Sequence, residues 1–185
     1  MSAPEINESQ RSIANWLNWL FERDGIIHAP VSIDVLHHEI HEGGLFTGGT
    51  VVSVNGTLAF SFTAGPSLYP HFIHRVECEG AGSLTLYENP TIGTVGNVLD
   101  VWNHKRSSSG TSTMVMYAEP AVSNVGTWRT TKIFGGTGVG GATQAGQNER
   151  GNEIIFDNDQ EWLAVVETGG ALLLNYEATW YEESE

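Results

Sequence analysis

Residues 71–90 contain the clearest alternation of apolar and polar side chains in the sequence. A period of two is typical of a half-buried antiparallel strand, because successive side chains point to opposite faces of a sheet. The two alternating runs are separated by Gly80-Ala81-Gly82, so we predict a hairpin at the centre of a β-sandwich. The predicted inner face consists of Phe72, His74, Val76, Cys78, Leu84 and Leu86.

A second hairpin is predicted at Asn55-Gly56, a pair that favours the two-residue type I′ turn between residues 50–54 and 57–63. Similar patterns predict further strands, and we see no internal repeat between them. The expected fold is all-β, an antiparallel β-sandwich arranged as a jelly roll, with one short N-terminal α-helix. The further predicted strands span residues 98–103, 113–118, 127–134, 153–156, 162–167 and 171–181.

The N-terminal part of the chain has a helical pattern instead. We predict a tail and an amphipathic helix within residues 1–30, the helix covering about 12–24, and a sandwich domain over 31–185. A helix of this length is marginal alone in water, so its apolar stripe must dock. The stripe can pack on its own sandwich or on a neighbouring subunit. The candidate contacts are Trp16, Leu17 and Leu20 on the stripe, and Trp19 on the far side of the helix.

Charge excludes two classes of partner. The net charge is −14 with only eight Lys and Arg residues, so we expect no binding to nucleic acid and no attraction to anionic membranes. No apolar run reaches the length of a membrane span. Cys78 is the only cysteine, which excludes an intramolecular disulfide. The acidic N-terminus is unlike a signal peptide, so we expect synthesis in a cytoplasm.

The histidine-rich sequence from His37 to Glu42 resembles a metal site at first sight. A zinc protease needs His-Glu-x-x-His on a helix, but His38 stands where the glutamate is required. The segment also lacks helical apolar periodicity. If it is extended, His37, Glu39 and His41 share one face. We expect hydrogen-bonded structural histidines here and no metal, with a metal-dependent hydrolase as the alternative.

Other candidate chemistry is weaker. Residues 136–141 fit G-x-G-x-x-G, but no apolar stripe follows to form the helix that a dinucleotide site needs. Glu88 and Glu119 each lie near a proline at a strand end, where a carboxylate often accepts backbone N–H bonds. Trp102 precedes a polar loop and is either a packing residue or a platform for stacking against a sugar. We therefore predict no catalytic residue and no cofactor.

A set of short motifs runs in order through residues 33–182, among them a glycine-rich loop at 135–151. The others are His38-x-x-His41-Glu-Gly43-x-x-Phe46, Leu86-Tyr-Glu-Asn-Pro-Thr91, Asn103-x-x-Arg106-Ser, Glu119-Pro120, Gly126-Thr127, Glu161-Trp162-Leu163 and Trp180-Tyr181-Glu182. As an ordered set, these motifs resemble the capsid decoration (cement) proteins encoded with the structural genes of tailed double-stranded DNA bacteriophages. The N-terminal helix is not part of this resemblance.

The resemblance implies a non-enzymatic virion protein with a β-sandwich fold. Such a protein would bind the major capsid protein at capsomer junctions, as a homotrimer on the outer surface of the capsid, after synthesis in the bacterial cytoplasm. The N-terminal helix and the loops at 104–112 and 135–151 are then the expected contact surfaces. The alternative is a glycan- or receptor-binding sandwich, such as a head fibre or a lectin-like tail protein, in which Trp102 would contact the sugar.

Overall fold

Antiparallel strands dominate the computed structural model, which describes residues 35–135, 143–145 and 153–184. The all-β prediction is therefore confirmed. Within these residues there is one helix, α1 (Val35–Glu42), followed by twelve strands. The strands are β1 (Leu45–Thr63), β2 (Tyr69–Cys78), β3 (Gly82–Glu88), β4 (Thr91–Thr94), β5 (Asn97–Val98), β6 (Val101–Asn103), β7 (Val115–Ala118), β8 (Ala121–Asn124), β9 (Thr127–Phe134), β10 (Thr143–Ala145), β11 (Ile154–Ile155) and β12 (Glu161–Glu183).

The predicted turn at Asn55-Gly56 is wrong, because both residues lie inside the long strand β1. β1 pairs with β12 along nearly its whole length, and the register shifts between Asn55 and Thr57. Gly56 has a φ of +97°, which satisfies the glycine preference without reversing the chain. Across the ladder, the Thr168 hydroxyl accepts a bond from the Gly56 N–H at 3.2 Å. The irregularity is therefore a bulge that bends both strands.

The predicted pairing of residues 71–78 with 82–88 is also wrong. β2 pairs with the second half of β12, from Leu174 to Glu183, whereas β3 pairs with its first half, from Trp162 to Thr168. The segment between β2 and β3 therefore bends along β12 and makes no hairpin. The alternation was interpreted correctly, because the inner faces predicted for both strands lie in the core or are buried.

The long sheet folds over on itself at these bends. Phe60 pairs with Ala164 in the ladder and Tyr176 pairs with Thr50, yet the rings of Phe60 and Tyr176 stack with centroids 4.2 Å apart. Side chains from the two halves of the same strands thus meet face to face and fill a shared core. The sandwich is one folded sheet, with all its strands in the unit Leu36–Glu185. Its arrangement as a jelly roll stays a prediction.

Residues 81–98 and 111–128 form an internal repeat with an offset of 30 positions. The sequence analysis, which found no internal repeat, was wrong on this point. Tyr87, Pro90, Val95 and Gly96 recur as Tyr117, Pro120, Val125 and Gly126. The pattern of buried and exposed side chains also recurs, with one difference across the whole length. Both copies place a left-handed residue before the proline, with φ of 53° at Asn89 and 56° at Glu119.

A local two-fold axis relates the copies. At the centre Ser61 pairs with Leu163, and the flanking pairs exchange under the rotation, since Phe60 pairs with Ala164 and Phe62 with Trp162. The Asn89 N–H donates to the Glu161 carbonyl at 2.9 Å, and the equivalent Glu119 N–H donates to the Ala59 carbonyl at 2.9 Å. The exchange extends to the ribbon of β4 and β8, in which Ile92 pairs with Val122.

The segments between the repeated strands cross over the outside of the sheet. β3 lies beside β12 and β5 lies beside β7, so residues 89–96 must pass over the central β1–β12 pair, and residues 119–126 pass over it in the opposite direction. Ser61 and Leu163 alternate with core residues and face outward, yet both are buried. The crossing segments explain that burial, and they add a partial third layer to this half of the sandwich.

Other predicted boundaries were corrected in part. The strand predicted over 127–134 is confirmed as β9. Residues 89–97, where no strand was predicted, contain β4 and reach β5. The loop at 135–151 contains the short strand β10, which pairs with β2. The helix predicted over 12–24 and the domain boundary at residue 30 lie outside the described residues. None of the described helices is long and apolar enough to cross a membrane.

Candidate functional site

The histidine-rich segment forms helix α1 although it lacks helical apolar periodicity, so the extended alternative does not apply. Residues 35–42 form about two helical turns. The helix ends at Gly43, whose N–H donates a hydrogen bond to the Glu39 carbonyl at 2.9 Å. The His38 side chain is exposed and its Nδ1 lies 3.2 Å from the Glu39 carboxylate. No group of three or more metal-ligating side chains occurs in the described part of the chain.

The polar loop at 104–112 is tied to the end of α1. The Asn103 amide donates to the Gly43 carbonyl at 2.6 Å, and the Lys105 ammonium donates to the His41 carbonyl at 2.6 Å. Trp102 begins this region in β6, paired with Thr47, and its side chain is 48% exposed. A half-exposed indole beside an anchored polar loop fits either role proposed for Trp102.

Glu182, in the acidic segment at the end of β12, accepts several hydrogen bonds. Its carboxylate accepts bonds from the Thr113 and Met114 N–H groups, each at about 2.9 Å, and from the Ser112 hydroxyl at 2.6 Å. The indole of Trp180 donates to it as well, at 3.2 Å. A carboxylate saturated by four neighbouring residues holds the start of β7 against the end of β12 and has no lone pair left for catalysis.

Glu88 and Glu119, for which bonds from backbone N–H groups were predicted, accept hydrogen bonds from side chains instead. Glu88 forms an ion pair with Arg129 and accepts a hydrogen bond from the Gln160 amide. Glu119 accepts a longer bond of 3.3 Å from the Asn97 amide. The last contact joins the two copies of the repeat.

An open cleft of about 330 Å³ lies among side chains of β2, β9 and β12, with Glu153 and Ile154 beside them. Burial, together with the ammonium of Lys132, lowers the pKa of His74 to about 3, so its imidazole is neutral. Both of its ring nitrogens are buried and form no hydrogen bond. Burial also lowers the pKa of Lys132. The lining residues are His74, Arg129, Thr130, Lys132, Glu153, Ile154 and Trp162.

A His–Glu–Tyr cluster closes one side of this cleft. His71 bonds through Nδ1 to the Glu153 carboxylate, and the Tyr181 hydroxyl donates to the same carboxylate at 2.7 Å. The rings of His71 and Tyr181, which pair in the ladder, stack at 4.4 Å. Each group is satisfied by its neighbours, so the cluster clamps β2 and β12 together. Among the described residues that line the cleft, Thr130 supplies the only hydroxyl.

The remaining candidate surface is the outer face of the repeat. Trp128, in the strand predicted over 127–134, is 60% exposed, and the equivalent residue of the first copy, Val98, is 68% exposed. Val95 and Val125 are also exposed. Sequence reasoning missed this surface because the alternation in 127–134 was assigned without knowing which face met the core. The recurrence of Val-Gly at an offset of 30 was the available signal.

The predicted contact residues of the N-terminal segment, Trp16, Leu17, Trp19 and Leu20, lie outside the described residues. The same applies to the G-x-G-x-x-G sequence at 136–141. No protein-family model matches the chain, and no curated protein is significantly similar to it.

Proposed function

We propose that the chain is a non-enzymatic structural protein of a tailed bacteriophage, which decorates or cements the outer surface of the capsid at junctions between capsomers. Its partners are the major capsid protein and further copies of itself, as a homotrimer. It is made in the host cytoplasm and ends up in the virion. The mechanism is adhesion, in which apolar and hydrogen-bonding surface is buried between neighbouring capsomers.

The resemblance in sequence supports this proposal, because its motifs coincide with residues that hold the sandwich together. Asn103 fixes the loop to Gly43, and Glu182 fixes β7 to β12. The Glu119-Pro120 motif forms the first crossing point of the second repeat copy. A resemblance carried by such positions is one of architecture, as expected for a family selected for its shape.

The observation that carries the proposal is the exposed apolar face of the repeat in a strongly acidic protein. Exposed hydrophobic residues are common when scattered, but a set on one face indicates an adhesive surface. Val98 and Trp128 are the two most prominent members of this set. The cleft at His74, by comparison, presents buried nitrogens and satisfied carboxylates.

The test is a deletion of the gene in the encoding phage, followed by heating of purified particles. We expect particles without the protein to release DNA at a lower temperature, and added purified protein to restore the original value. Normal heat resistance of the deleted particles, together with normal infectivity, would contradict the proposal.

The half-exposed Trp102 supports a second candidate function, the binding of a glycan on the host surface. An indole face can stack on a sugar ring, and the adjacent Asn103 and Lys105 supply polar groups. A glycan array with the wild type and Trp102→Ala decides between the two. Binding that Trp102→Ala abolishes would favour this alternative, and no binding by the wild type would remove it.

A further inference from the structure

The outer face of the repeat presents apolar side chains in two equivalent places. Val98 lies directly opposite Tyr117 in the ladder, and Trp128 lies directly opposite Tyr87. Directly opposed residues share a face, and these tyrosines alternate with core residues Leu86 and Met116. Val98 and Trp128 therefore both point away from the core.

This face is free of charge at its centre. No Asp, Glu, Lys or Arg occurs between Asn89 and Leu99 or between Pro120 and Trp128, although the chain contains 22 Asp and Glu residues. The exposed Glu119 borders the second of these segments and accepts a hydrogen bond from the Asn97 amide. Asp100 and Arg129 follow these segments directly and are exposed. An apolar, uncharged centre with charged residues at its margin is the usual composition of a protein–protein contact.

The face is large enough for a stable contact. β9 and β5 are the outermost strands of this half of the sheet, with four strands between them, so the face is roughly 24 Å wide at the usual strand spacing. A standard contact removes about 800 Å² from each partner, which corresponds to a patch roughly 30 Å across. The two dimensions agree.

The net charge of the chain indicates that a second copy can bind the outer face of the repeat. Two copies of a chain with a net charge of −14 repel each other over most of their surfaces. They approach each other most easily where carboxylates are fewest, and the segments around Val98 and Trp128 contain none, with the exposed Glu119, bound by the Asn97 amide, beside them. Because this face has two near-equivalent halves, the half with Val98 on one copy can meet the half with Trp128 on the next.

We propose that the outer face of the repeat, centred on Val98 and Trp128, is the surface through which copies of this chain bind each other. This deepens the proposed function, since it assigns the contact of the homotrimer, but it does not depend on the capsid. The protein can therefore assemble as inferred and still fail to bind a capsid, and the two results are separable.

The test measures the mass of the purified full-length chain in solution by light scattering over a wide range of concentration. The variants are Val98→Glu and Trp128→Glu, each of which adds a carboxylate to one half of the face. Val51→Glu is the matched control, because Val51 is 63% exposed and lies on β1 outside the repeat. Circular dichroism establishes that each variant is folded, as expected for exposed positions.

We expect the wild type and Val51→Glu to form an oligomer of 20.1 kDa subunits. We expect both face variants to associate at least about tenfold more weakly, because like charges would oppose each other in the contact. A wild type that stays monomeric at every concentration would overturn the proposal, as would face variants that assemble normally. Normal assembly combined with lost binding to particles would assign the face to the capsid protein instead.

Discussion

The two copies of the repeat share a local structure but continue into different parts of the molecule. In both, a strand ends at a left-handed residue and a proline, and a glycine near the far end packs against the other copy. The first copy stops at Val98 and turns into β6, which pairs with the other half of β1. The second copy continues as the eight-residue strand β9 and lines the cleft at His74.

This difference separates what the repeat requires from what was added to it. The crossing of the two segments depends on a few backbone positions that recur in both copies. The cleft, with Lys132 and Arg129, exists in one copy alone. Substitutions made in equivalent pairs should therefore have equal effects in the crossing and unequal effects beyond it.

The largest effects are expected in the core, where Phe60 and Trp162 occupy equivalent positions about the local axis. Phe60 stacks on Tyr176, and Trp162 stacks on Phe156 at 4.7 Å. We expect Phe60→Ala and Trp162→Ala each to lower the free energy of unfolding by about 4 kcal/mol, because each leaves a cavity. Urea denaturation measures this. Val51→Thr, an exposed control, should change it by less than about 0.5 kcal/mol. A small loss at either core position would break the equivalence.

Gly96 and Gly126 test the crossing itself. A Cβ at Gly96 would lie 2.2 Å from the Ala118 carbonyl oxygen, and one at Gly126 would lie 2.3 Å from the Glu88 carbonyl oxygen. Both have positive φ, near 87°. We expect Gly96→Ala and Gly126→Ala to cost about 2–3 kcal/mol each by thermal denaturation.

Gly169→Ala is the control for these substitutions, because a Cβ there has open space around it. We expect a change of less than about 0.5 kcal/mol for the control. Similar losses at all three glycines would mean that the close approach in the crossing is not what constrains Gly96 and Gly126.

The pH dependence of stability tests the cleft at His74, which is lined by β9 in continuation of the second copy and has no counterpart in the first copy. The pKa of His74 in the folded protein is about 3, below the usual 6.5, so the unfolded chain binds a proton more readily. Above pH 6.5 His74 is neutral in both the folded and the unfolded chain, so its protonation does not change the free energy of unfolding. As the pH falls from 6.5 towards 3, only the unfolded chain gains a proton at His74, and the free energy of unfolding decreases. At pH 5.5 we expect a loss of about 1 kcal/mol from this group.

His74→Leu should flatten this part of the stability profile, whereas His38→Gln, at an exposed position, should not. The charged groups that line the cleft with His74 are Arg129, Lys132 and Glu153. They are present in both wild type and variant, so the difference between the two profiles isolates His74. Identical profiles for the wild type and His74→Leu would contradict its burial as a neutral group.

The smallest effect concerns the left-handed residues before the prolines. Asn accepts positive φ more readily than Glu, so Glu119→Asn should stabilise the protein by about 0.5 kcal/mol, and Asn89→Glu should destabilise it by a similar amount. Thermal denaturation of the two single variants measures both. Changes of the same sign would show that backbone strain does not dominate at these sites.

The sequence predicted which face of each strand is buried more accurately than it predicted which strands pair with each other. Alternation placed Phe72, Val76, Leu84 and Leu86 correctly, because burial of one face of a strand is recorded in every second residue. Asn55-Gly56 and Gly80-Ala81-Gly82 were misinterpreted as turns, because local backbone preference cannot distinguish a tight turn from a bend opposite a long strand. The alternative depended on β12, which begins 105 residues after Gly56 and 79 residues after Gly82.

The helix α1 and the exposed face show a second limit. Eight residues with three histidines satisfy a period of two almost as well as a period of 3.6, and the deciding interactions, at Gly43 and Lys105, come from outside the segment. The repeat was within reach of sequence reasoning, since a Tyr, a Pro and a Val-Gly pair recur at an offset of 30. What no local pattern could supply was the side of β9 on which Trp128 would lie.

The most direct test of the proposed role is the number of copies of this chain in purified particles of the phage that encodes it, measured by quantitative mass spectrometry against the major capsid protein. We predict a fixed ratio to the capsid protein, with copies in multiples of three over the whole shell. Absence from the particles, or only a few copies at one site, would contradict a role in decorating the capsid.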